Sequence, residues 1–431
     1  MYLILDEIIN DKKELRFCMA FYDTDEEIER VILVGVELNP KDDVEMSLKE
    51  LSELAKTAGA VTVGKMIQPR DYFHPATYIG KGKLDELRAY IAETNATGII
   101  CDDELSPAQL CNLEDELNIK VMDRTMVILD IFASRATTSE GKIQVEMAQL
   151  KYRSTRLSGF GTSLSRLGGG IGTRGPGEKK IETDRRLIRD RITKLSRDLE
   201  EIKSHREVQR SKRDNTSTFV AAIVGYTNAG KSTLLNKLTK ADVLSEDKLF
   251  ATLDPTTREL ELPNKEKILL TDTVGFIRKL PHHLIEAFRS TLEEAKFADI
   301  IVHVVDASNE DYERHMQTVY DTLEELGVKD KKIITLINKV DKFEEAPIIK
   351  DVKSDYCINY SNKAGIGQDE FLKALEEIIM ESRVYIERTF SYQEAGKIQQ
   401  IREFGQLLEE EYVQDGIKVK AYVPREIEGR L

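Results

Sequence analysis

The sequence lacks the features that mark membrane, secreted and disulfide-rich proteins. No apolar run approaches the roughly 18 residues that a membrane-spanning helix needs, and Asp6 interrupts the short apolar start too early for a signal peptide. Cysteine is scarce, and Cys18, Cys101, Cys111 and Cys357 have neither paired nor metal-ligand spacing. We therefore expect reduced thiols and a soluble, cytoplasmic protein without a membrane span.

Positive charge is scarce over most of the chain and concentrated in one segment. The formal net charge is −14. Residues 151–194, however, hold twelve Lys or Arg against four Asp or Glu, a net charge of +8 that leaves −22 on the remainder. This asymmetry indicates one basic limb on an acidic body, an arrangement that favours contact with a polyanion.

A glycine-containing turn between a strand and a helix is the most informative motif. Residues 225–232 read Gly-Tyr-Thr-Asn-Ala-Gly-Lys-Ser, after an apolar run and before a helical pattern. The glycines let the backbone wrap around phosphate oxygens, and the helix adds free N–H groups. We expect Lys231 to reach the β- and γ-phosphates and the Ser232 hydroxyl to ligate Mg²⁺. The predicted nucleotide contacts in this loop are Gly225, Tyr226, Thr227, Asn228, Ala229, Gly230, Lys231 and Ser232.

A second motif selects the base. Residues 338–341 read Asn-Lys-Val-Asp and follow a continuous apolar strand over 333–337. The Asp341 carboxylate can accept hydrogen bonds from N1 and N2 of guanine, donors that adenine does not present. Lys339 is expected to lie over the nucleotide and Asn338 to tie this loop to the phosphate loop. A third loop, which follows a predicted strand over 356–360, is also expected to contact the base. The predicted base-binding residues are Asn338, Lys339, Val340, Asp341, Ser361, Asn362 and Lys363.

Two further segments are placed to sense the γ-phosphate. Asp272 ends an apolar strand and is expected to hold Mg²⁺ through water, with the Gly275 N–H on the γ-phosphate. Thr252 is the expected second hydroxyl ligand of the metal, and we assign catalytic roles to Lys231, Thr252 and Gly275. Loss of the γ-phosphate would release both segments, which makes this part of the chain a switch. The predicted contacts are Phe250, Ala251, Thr252, Leu253, Asp254, Asp272, Thr273, Val274 and Gly275.

Along the chain the order is the phosphate loop, the switch threonine Thr252, Asp-x-x-Gly at 272–275, Asn-Lys-x-Asp and Ser-x-Lys. In this order the motifs resemble those of the translation-factor-type GTPases, whose fold is a mostly parallel, doubly wound α/β sheet. One position departs from the pattern, because Phe276 stands where Ras-like members have a water-orienting Gln. A phenyl ring cannot hydrogen-bond water, so intrinsic hydrolysis is expected to be slow and completed by an outside group or by another polar residue of this chain. Asn228 resembles the Asn of potassium-stimulated GTPases, which makes K⁺ a candidate ligand, although an Asn also caps such loops.

The basic limb has the pattern of a helical hairpin. Ile188, Ile192, Leu195, Leu199 and Ile202 form a 4-3-4-3 stripe that predicts a helix over 178–210, paired with a helix over 139–157. The intervening residues 158–177 contain eight glycines and cannot form a core. This tip is suited to enter a polyanionic cavity, although a flexible linker is the alternative. The predicted RNA contacts are Arg166, Gly168, Gly169, Gly170, Arg174, Arg185, Arg186, Arg189 and Arg191.

The tip also carries a family resemblance. Residues 168–178 read Gly-Gly-Gly-Ile-Gly-Thr-Arg-Gly-Pro-Gly-Glu, residues 182–186 read Glu-Thr-Asp-Arg-Arg, and residues 78–83 read Tyr-Ile-Gly-Lys-Gly-Lys. These strings resemble the HflX family of ribosome-associated GTPases over nearly the whole chain. The resemblance implies GTP and GDP binding, docking of the tip on the large ribosomal subunit, and splitting of stalled ribosomes by a monomer. A GTPase checkpoint in subunit assembly and a signalling GTPase with a protein target stay open as alternatives.

The flanking segments are less specific. Alternating strand and helix patterns over residues 31–136 predict a small α/β domain with a parallel sheet. Residues 80–83 open a helix there, either as an ordinary helix start or as a phosphate contact. A strand over 383–388, a helix over 393–408 and a strand over 417–423 predict a small α+β unit. We thus predict an N-terminal α/β domain at 1–136, the hairpin at 137–215, a GTPase domain at 216–382 and the α+β unit at 383–431.

Overall fold

The computed structural model describes residues 28–39, 43–165, 176–214, 218–239, 249–250, 252–281, 284, 293–414 and 416–429. These residues form three sheets and one long helical hairpin. The mostly parallel, doubly wound α/β fold expected for the nucleotide-binding part is confirmed.

The first sheet lies in the N-terminal part of the chain and is entirely parallel, with strand order β2-β1-β3-β4. The alternating strands and helices predicted over residues 31–136 are present. One helix, α4, was not predicted; it begins directly after β4, where Asp123 Oδ1 accepts a hydrogen bond from the Met126 N–H at 2.9 Å. The bounds are β1 Arg30–Glu37, α1 Val44–Thr57, β2 Val61–Pro69, α2 Lys81–Thr94, β3 Gly98–Cys101, α3 Pro107–Leu117, β4 Lys120–Asp123 and α4 Arg124–Arg135.

The hairpin consists of α5 (Ser139–Ser165) and α6 (Pro176–Asp214). The predicted apolar stripe holds it together, because Met147, Leu195 and Leu199 are buried between the two helices. Neither helix, nor any other in the described part of the chain, is long and apolar enough to cross a bilayer.

The helices extend further into the glycine-rich segment than predicted. Residues 158–165 and 176–177 are helical rather than part of a loop. Glycine costs only about 1 kcal/mol relative to alanine in a helix, and extending a formed helix adds a hydrogen bond for each residue that is fixed. The predicted RNA contacts Arg166, Gly168, Gly169, Gly170 and Arg174 lie outside the described residues.

The second sheet has six strands in the order β10-β9-β8-β5-β7-β6. All neighbouring strands are parallel except the edge strand β6, which runs antiparallel to β7. The bounds are β5 Val220–Gly225, α7 Lys231–Thr239, β6 Thr256–Glu261, β7 Lys267–Asp272, α8 Glu294–Phe297, β8 Ile300–Asp306, α9 Tyr312–Glu325, β9 Lys332–Asn338, β10 Tyr356–Asn359 and α10 Gln368–Glu381.

The third sheet is antiparallel, with order β11-β13-β12, and it corrects one prediction. The helix predicted over 393–408 ends at Phe404, and residues 406–413 form a strand. Gly405 follows the helix and lies against the Tyr422 carbonyl, where the Cβ of another residue would meet the oxygen at 2.7 Å. The bounds are β11 Arg383–Phe390, α11 Ala395–Phe404, β12 Gln406–Val413, β13 Gly416–Pro424 and α12 Arg425–Glu428.

The first two sheets share one hydrophobic core. Phe132 from α4 packs in the same cluster as Tyr226, Phe250 and Phe276, which belong to the phosphate loop and the two predicted switch segments. The two predicted switch segments are therefore in direct packing contact with the N-terminal sheet domain.

Candidate nucleotide-binding site

The phosphate loop connects the end of β5 to the start of α7, and two of its positions require glycine. Gly225 has φ +153° and Gly230 has φ +99°. A Cβ on Gly225 would overlap the Val304 carbonyl oxygen, and one on Gly230 would overlap the Asn338 side-chain nitrogen. The loop is therefore packed between β8 and the Asn-Lys-Val-Asp segment.

Lys231 lies in this loop in a site that favours an anion. Its Nζ donates hydrogen bonds to the carbonyls of Gly225 at 3.1 Å and Tyr226 at 2.8 Å. Burial lowers the pKa of Lys231 to about 8, and the charge of Asp272 only partly opposes this effect. A phosphate beside the ammonium would supply the missing counter-charge.

Three oxygen-bearing side chains meet beside the loop and fit a magnesium ion. Ser232 Oγ lies 2.7 Å from Thr252 Oγ1 and donates to Asp272 Oδ2 at 2.7 Å. Thr252 Oγ1 donates to the same carboxylate oxygen at 3.0 Å. The other oxygen, Asp272 Oδ1, is buried without a hydrogen-bond partner in the structure as described. Such oxygens are the ligands that Mg²⁺ takes together with phosphate and water.

The segment after Asp272 lies tightly against the loop. A Cβ on Gly275 would come within 3.0 Å of Thr227 atoms and Lys231 Nζ, so glycine brings the backbone close to the phosphate loop. The Thr227 N–H donates to the Phe276 carbonyl at 2.8 Å. The Phe276 ring is 2% exposed and belongs to the shared core. It therefore contributes to packing rather than to the polar surface of the site.

The remaining residues of this segment face inward. The Thr273 hydroxyl donates to the Ile223 carbonyl at 2.8 Å, and Val274 is buried. Both side chains therefore pack in the protein interior, and only the backbone groups of Thr273 and Val274 are available to contact nucleotide.

The Asn-Lys-Val-Asp segment is tied to the phosphate loop as predicted. Asn338 Nδ2 donates to the Ala229 carbonyl at 2.8 Å. Lys339 Nζ donates to the Asn228 carbonyl at 3.0 Å and also pairs with Asp306 at 2.7 Å. The Asp306 contact was not predicted.

The predicted base-binding loop at 361–363 joins the same cluster. The Ser361 hydroxyl donates to Asp341 Oδ1 at 2.5 Å and holds the pKa of that carboxyl below its ordinary value. Asn362 Nδ2 donates to the Gly230 carbonyl at 3.0 Å. Val340 is buried and Lys363 is exposed. The Asp341 carboxylate is thus kept ionised as an acceptor.

Several predicted nucleotide contacts use their side chains elsewhere. The Phe250 ring meets Phe132 edge-on at 4.7 Å, and Leu253 is buried, because apolar side chains gain more from the shared core than from phosphate. Asp254 is held by Thr137 and Thr138 at the base of the hairpin, where backbone N–H groups stabilise a carboxylate that phosphate would repel. Ala251 lies outside the described residues.

Tyr226 connects the phosphate loop to the N-terminal sheet domain, a contact that no sequence motif predicted. Its ring stacks on His315 with centroids 3.6 Å apart, and its hydroxyl donates to Glu50. Glu50 also pairs with the buried Arg124. Burial raises the pKa of Tyr226 to about 12 and lowers that of His315 to about 4, so both are neutral near pH 7.

A second unpredicted contact joins the switch segment after Gly275 to the N-terminal sheet. Lys279 Nζ pairs with Asp102 at 2.5 Å and with Asp103 at 2.7 Å. No periodic sequence pattern predicts a salt bridge between residues that are this far apart in the chain.

The predicted RNA contacts that the structure describes lie on α6. Arg186 and Arg189 are exposed. Arg185 is partly buried. Arg191 forms a bidentate salt bridge with Glu146 of α5, with N–O distances of 2.7 Å and 2.9 Å. Arg191 therefore already serves to hold the hairpin together.

A phosphate loop follows the central parallel strand β5, an Asp-x-x-Gly segment follows the adjacent strand β7, and an Asn-Lys-x-Asp segment lies against the loop. Together these features define a P-loop GTPase. Family models agree: "GTP-binding GTPase N-terminal" matches residues 45–133, "GTP-binding GTPase Middle Region" residues 135–213, and "50S ribosome-binding GTPase" residues 220–339.

The curated relatives narrow this class to one family. GTPase HflX of Lacrimispora saccharolytica is 65% identical over 399 residues, covering 93% of this chain and 94% of the relative. GTPase HflX of Escherichia coli is 41% identical over 352 residues, covering 81% and 82%. The chain belongs to the HflX GTPases. Among solved structures, a GTP-binding protein from Sulfolobus solfataricus in complex with GDP is similar at 24% identity and a TM-score of 0.44, covering 82% of this chain and 99% of that one.

Proposed function

We propose that this GTPase binds the large ribosomal subunit through its helical hairpin and separates stalled or idle ribosomes into subunits. The observation that carries the proposal is the hairpin itself, in which α5 and α6 pair along an apolar seam and leave Arg186 and Arg189 exposed near the glycine-rich segment. Phosphate-rich RNA is the polyanion that such a surface fits best.

The nucleotide site supports GTP as the controlling ligand. Lys231 would contact the β- and γ-phosphates, and Asp341 would accept from the guanine N1 and N2 donors. Ser232, Thr252 and Asp272 would hold Mg²⁺, which neutralises the charge that develops on the phosphates. Asn228 would bind K⁺, which would help to neutralise the same charge on the phosphates. GTP would keep both switch segments ordered, and hydrolysis would release them.

Hydrolysis without a partner is proposed to be slow. Phe276 is buried in the shared core and has no group that orients water. A ribosomal element would therefore complete the site, as outside groups do for other GTPases. This dependence on a ribosomal element would keep GTP intact until the hairpin has docked. The protein would act in the cytoplasm and as a monomer.

Sedimentation with purified ribosomes tests the proposal. With a non-hydrolysable GTP analogue, the wild-type protein should convert whole ribosomes into subunits. Replacing residues 166–175 by a Gly/Ser linker of equal length leaves both helices intact and should abolish splitting without changing nucleotide affinity. The matched control is Leu187→Ser, which changes an exposed α6 residue of the same region without removing a positive charge.

The same assay separates the alternatives. Binding to precursor subunits alone would favour a checkpoint in assembly. Absence of co-sedimentation at low salt would reject both RNA hypotheses and favour a signalling GTPase with a protein target.

A further inference from the structure

The Asp254 carboxylate lies at the start of α5, at the base of the hairpin. Its Oδ2 accepts from the Thr137 and Thr138 N–H groups at 2.9 Å each and from the Thr137 hydroxyl at 2.6 Å. Its Oδ1 accepts from the Thr138 hydroxyl at 2.5 Å. Four hydrogen bonds, two of them from backbone N–H groups, thus fix the carboxylate at the start of α5.

The first turn of α5 is shaped around this carboxylate. Thr138 Oγ1 also accepts from the Gly141 N–H at 3.0 Å. A Cβ at position 141 would overlap Asp254 Oδ1, which is fixed by its hydrogen bonds. Glycine at this position therefore permits the contact.

Asp254 is only two residues beyond Thr252, and both flanks of Thr252 are anchored. Leu253 is 2% exposed, and Phe250 on the other side packs on Phe132. The position of the Thr252 hydroxyl beside Ser232 and Asp272 thus depends on contacts with α4 and with the hairpin base.

The hairpin is long enough to transmit motion to this point. Helix α5 has 27 residues, which is about 40 Å at 1.5 Å per residue. At its base, Arg206 of α6 pairs with Glu140 and lies 3.4 Å from Glu294 of the nucleotide-binding part. A displacement of the helices therefore acts directly on the turn that binds Asp254.

We propose that Asp254 is a positioning residue for the GTPase reaction. Held by the first turn of the hairpin, it keeps the Thr252 hydroxyl in the metal-binding set, so that docking of the hairpin changes hydrolysis and bound GTP changes the hairpin. The identity of the docking partner rests on the proposed function, whereas the link between the hairpin base and Thr252 does not.

The substitution Asp254→Asn tests the link because it keeps the side-chain shape and replaces one acceptor oxygen by an amide donor. Affinity for a non-hydrolysable GTP analogue in Mg²⁺ should fall about tenfold, within the usual range of coupling between sites. GDP affinity should stay unchanged, because Thr252 is expected to reach the metal only when the γ-phosphate is present. Titration with fluorescent nucleotides at several Mg²⁺ concentrations measures both.

A second variant approaches the contact from the hairpin. Gly141→Ala keeps the Asp254 side chain but adds a methyl group that displaces its carboxylate, so the same selective loss is expected. The double variant should lose no more than either single variant, because both remove one interaction. The matched control is Glu259→Gln, an exposed carboxylate on β6 that pairs with Lys267 at 2.7 Å, which should behave as wild type.

Wild-type analogue affinity and Mg²⁺ requirement in both single variants would overturn the proposal. A lower melting temperature with unchanged affinities would also overturn it, because Asp254 would then only stabilise the hairpin base. Losses that simply add in the double variant would overturn it as well, because Asp254 would then act independently of the turn at Gly141. None of these measurements needs ribosomes, so their outcome is separate from that of the sedimentation assay.

Discussion

At the scale of single residues, Lys231 should make nucleotide affinity depend on pH. Its pKa is about 8 in the nucleotide-free protein because it is buried, and a bound phosphate should raise it. Below pH 8 the lysine is charged in both states and affinity should be constant. Above pH 8 the free protein loses a proton that the complex keeps, so affinity should fall by up to about tenfold per pH unit. Calorimetry in two buffers of different ionisation enthalpy should show proton uptake at pH 8.5, and a flat affinity from pH 7 to 9 would contradict this assignment.

Asp341 should determine the choice of base. Asp341→Asn exchanges an acceptor for a donor, so the protein should lose affinity for GTP by about 2 kcal/mol or more, the cost of mispairing a charged hydrogen bond, and should gain affinity for xanthosine nucleotides. Competition between the two nucleotides measures the change. Glu344→Gln, which removes an exposed carboxylate three residues further along the chain, is the control and should keep guanine preference. Unchanged preference in Asp341→Asn would show that another group reads the base.

At the scale of elements, the seam of the hairpin should set its local stability. Leu195 is 2% exposed between α5 and α6, and Leu195→Ala should cost roughly 2–5 kcal/mol. Leu187→Ala, on the same helix but 59% exposed, should cost no more than about 0.5 kcal/mol. Amide hydrogen exchange over residues 143–152 and 188–199 measures the local opening free energy. Equal protection in the two variants would mean that the seam does not hold the helices together.

Elements with a strong apolar period could be predicted from the sequence, and their ends could not. The 4-3-4-3 stripe correctly paired α5 with α6, but the glycines beyond Leu157 concealed that α5 continues to Ser165. Gly405 was a stop signal that separates α11 from β12, and it was missed because the apolar spacing continued past it. Helix α4 had a usable signal in Asp123, whose side chain accepts from the Met126 N–H.

At the scale of the whole molecule, a buried ionic cluster joins the N-terminal sheet domain to the nucleotide-binding part. Arg124 is 2% exposed; it donates to Asp102 at 2.7 Å and pairs with Glu50, which binds Tyr226 of the phosphate loop. Burial lowers the pKa of Arg124 to about 10, which still leaves it charged at neutral pH. The cluster therefore depends on every member being present.

Arg124→Ala should destabilise the protein by about 3–5 kcal/mol, because it leaves buried carboxylates without their counter-charge. Arg88→Ala, which removes a half-exposed arginine paired with Asp85 and Glu116, should cost no more than about 1 kcal/mol. The two variants are compared by the urea concentration at the midpoint of unfolding, measured for both sheets. Similar midpoints would argue that the buried cluster adds little to the association of the two parts.

The phosphate loop, the Asn-Lys-x-Asp segment and the meeting of Ser232, Thr252 and Asp272 could be predicted because the chemistry of phosphate and base binding fixes residue types at short spacing. The contacts between the two parts could not. Asp254 and Thr137 are 117 residues apart in sequence, and neither belongs to a motif. Only the fold brings the switch segment to the base of the hairpin.

The edge-on contact between Phe132 and Phe250 also provides an optical reporter. The chain contains no tryptophan, so Phe132→Trp would introduce a single indole whose emission depends on whether the Phe250 segment covers it. Time-resolved emission from that one fluorophore would follow the segment through a catalytic cycle without any attached dye.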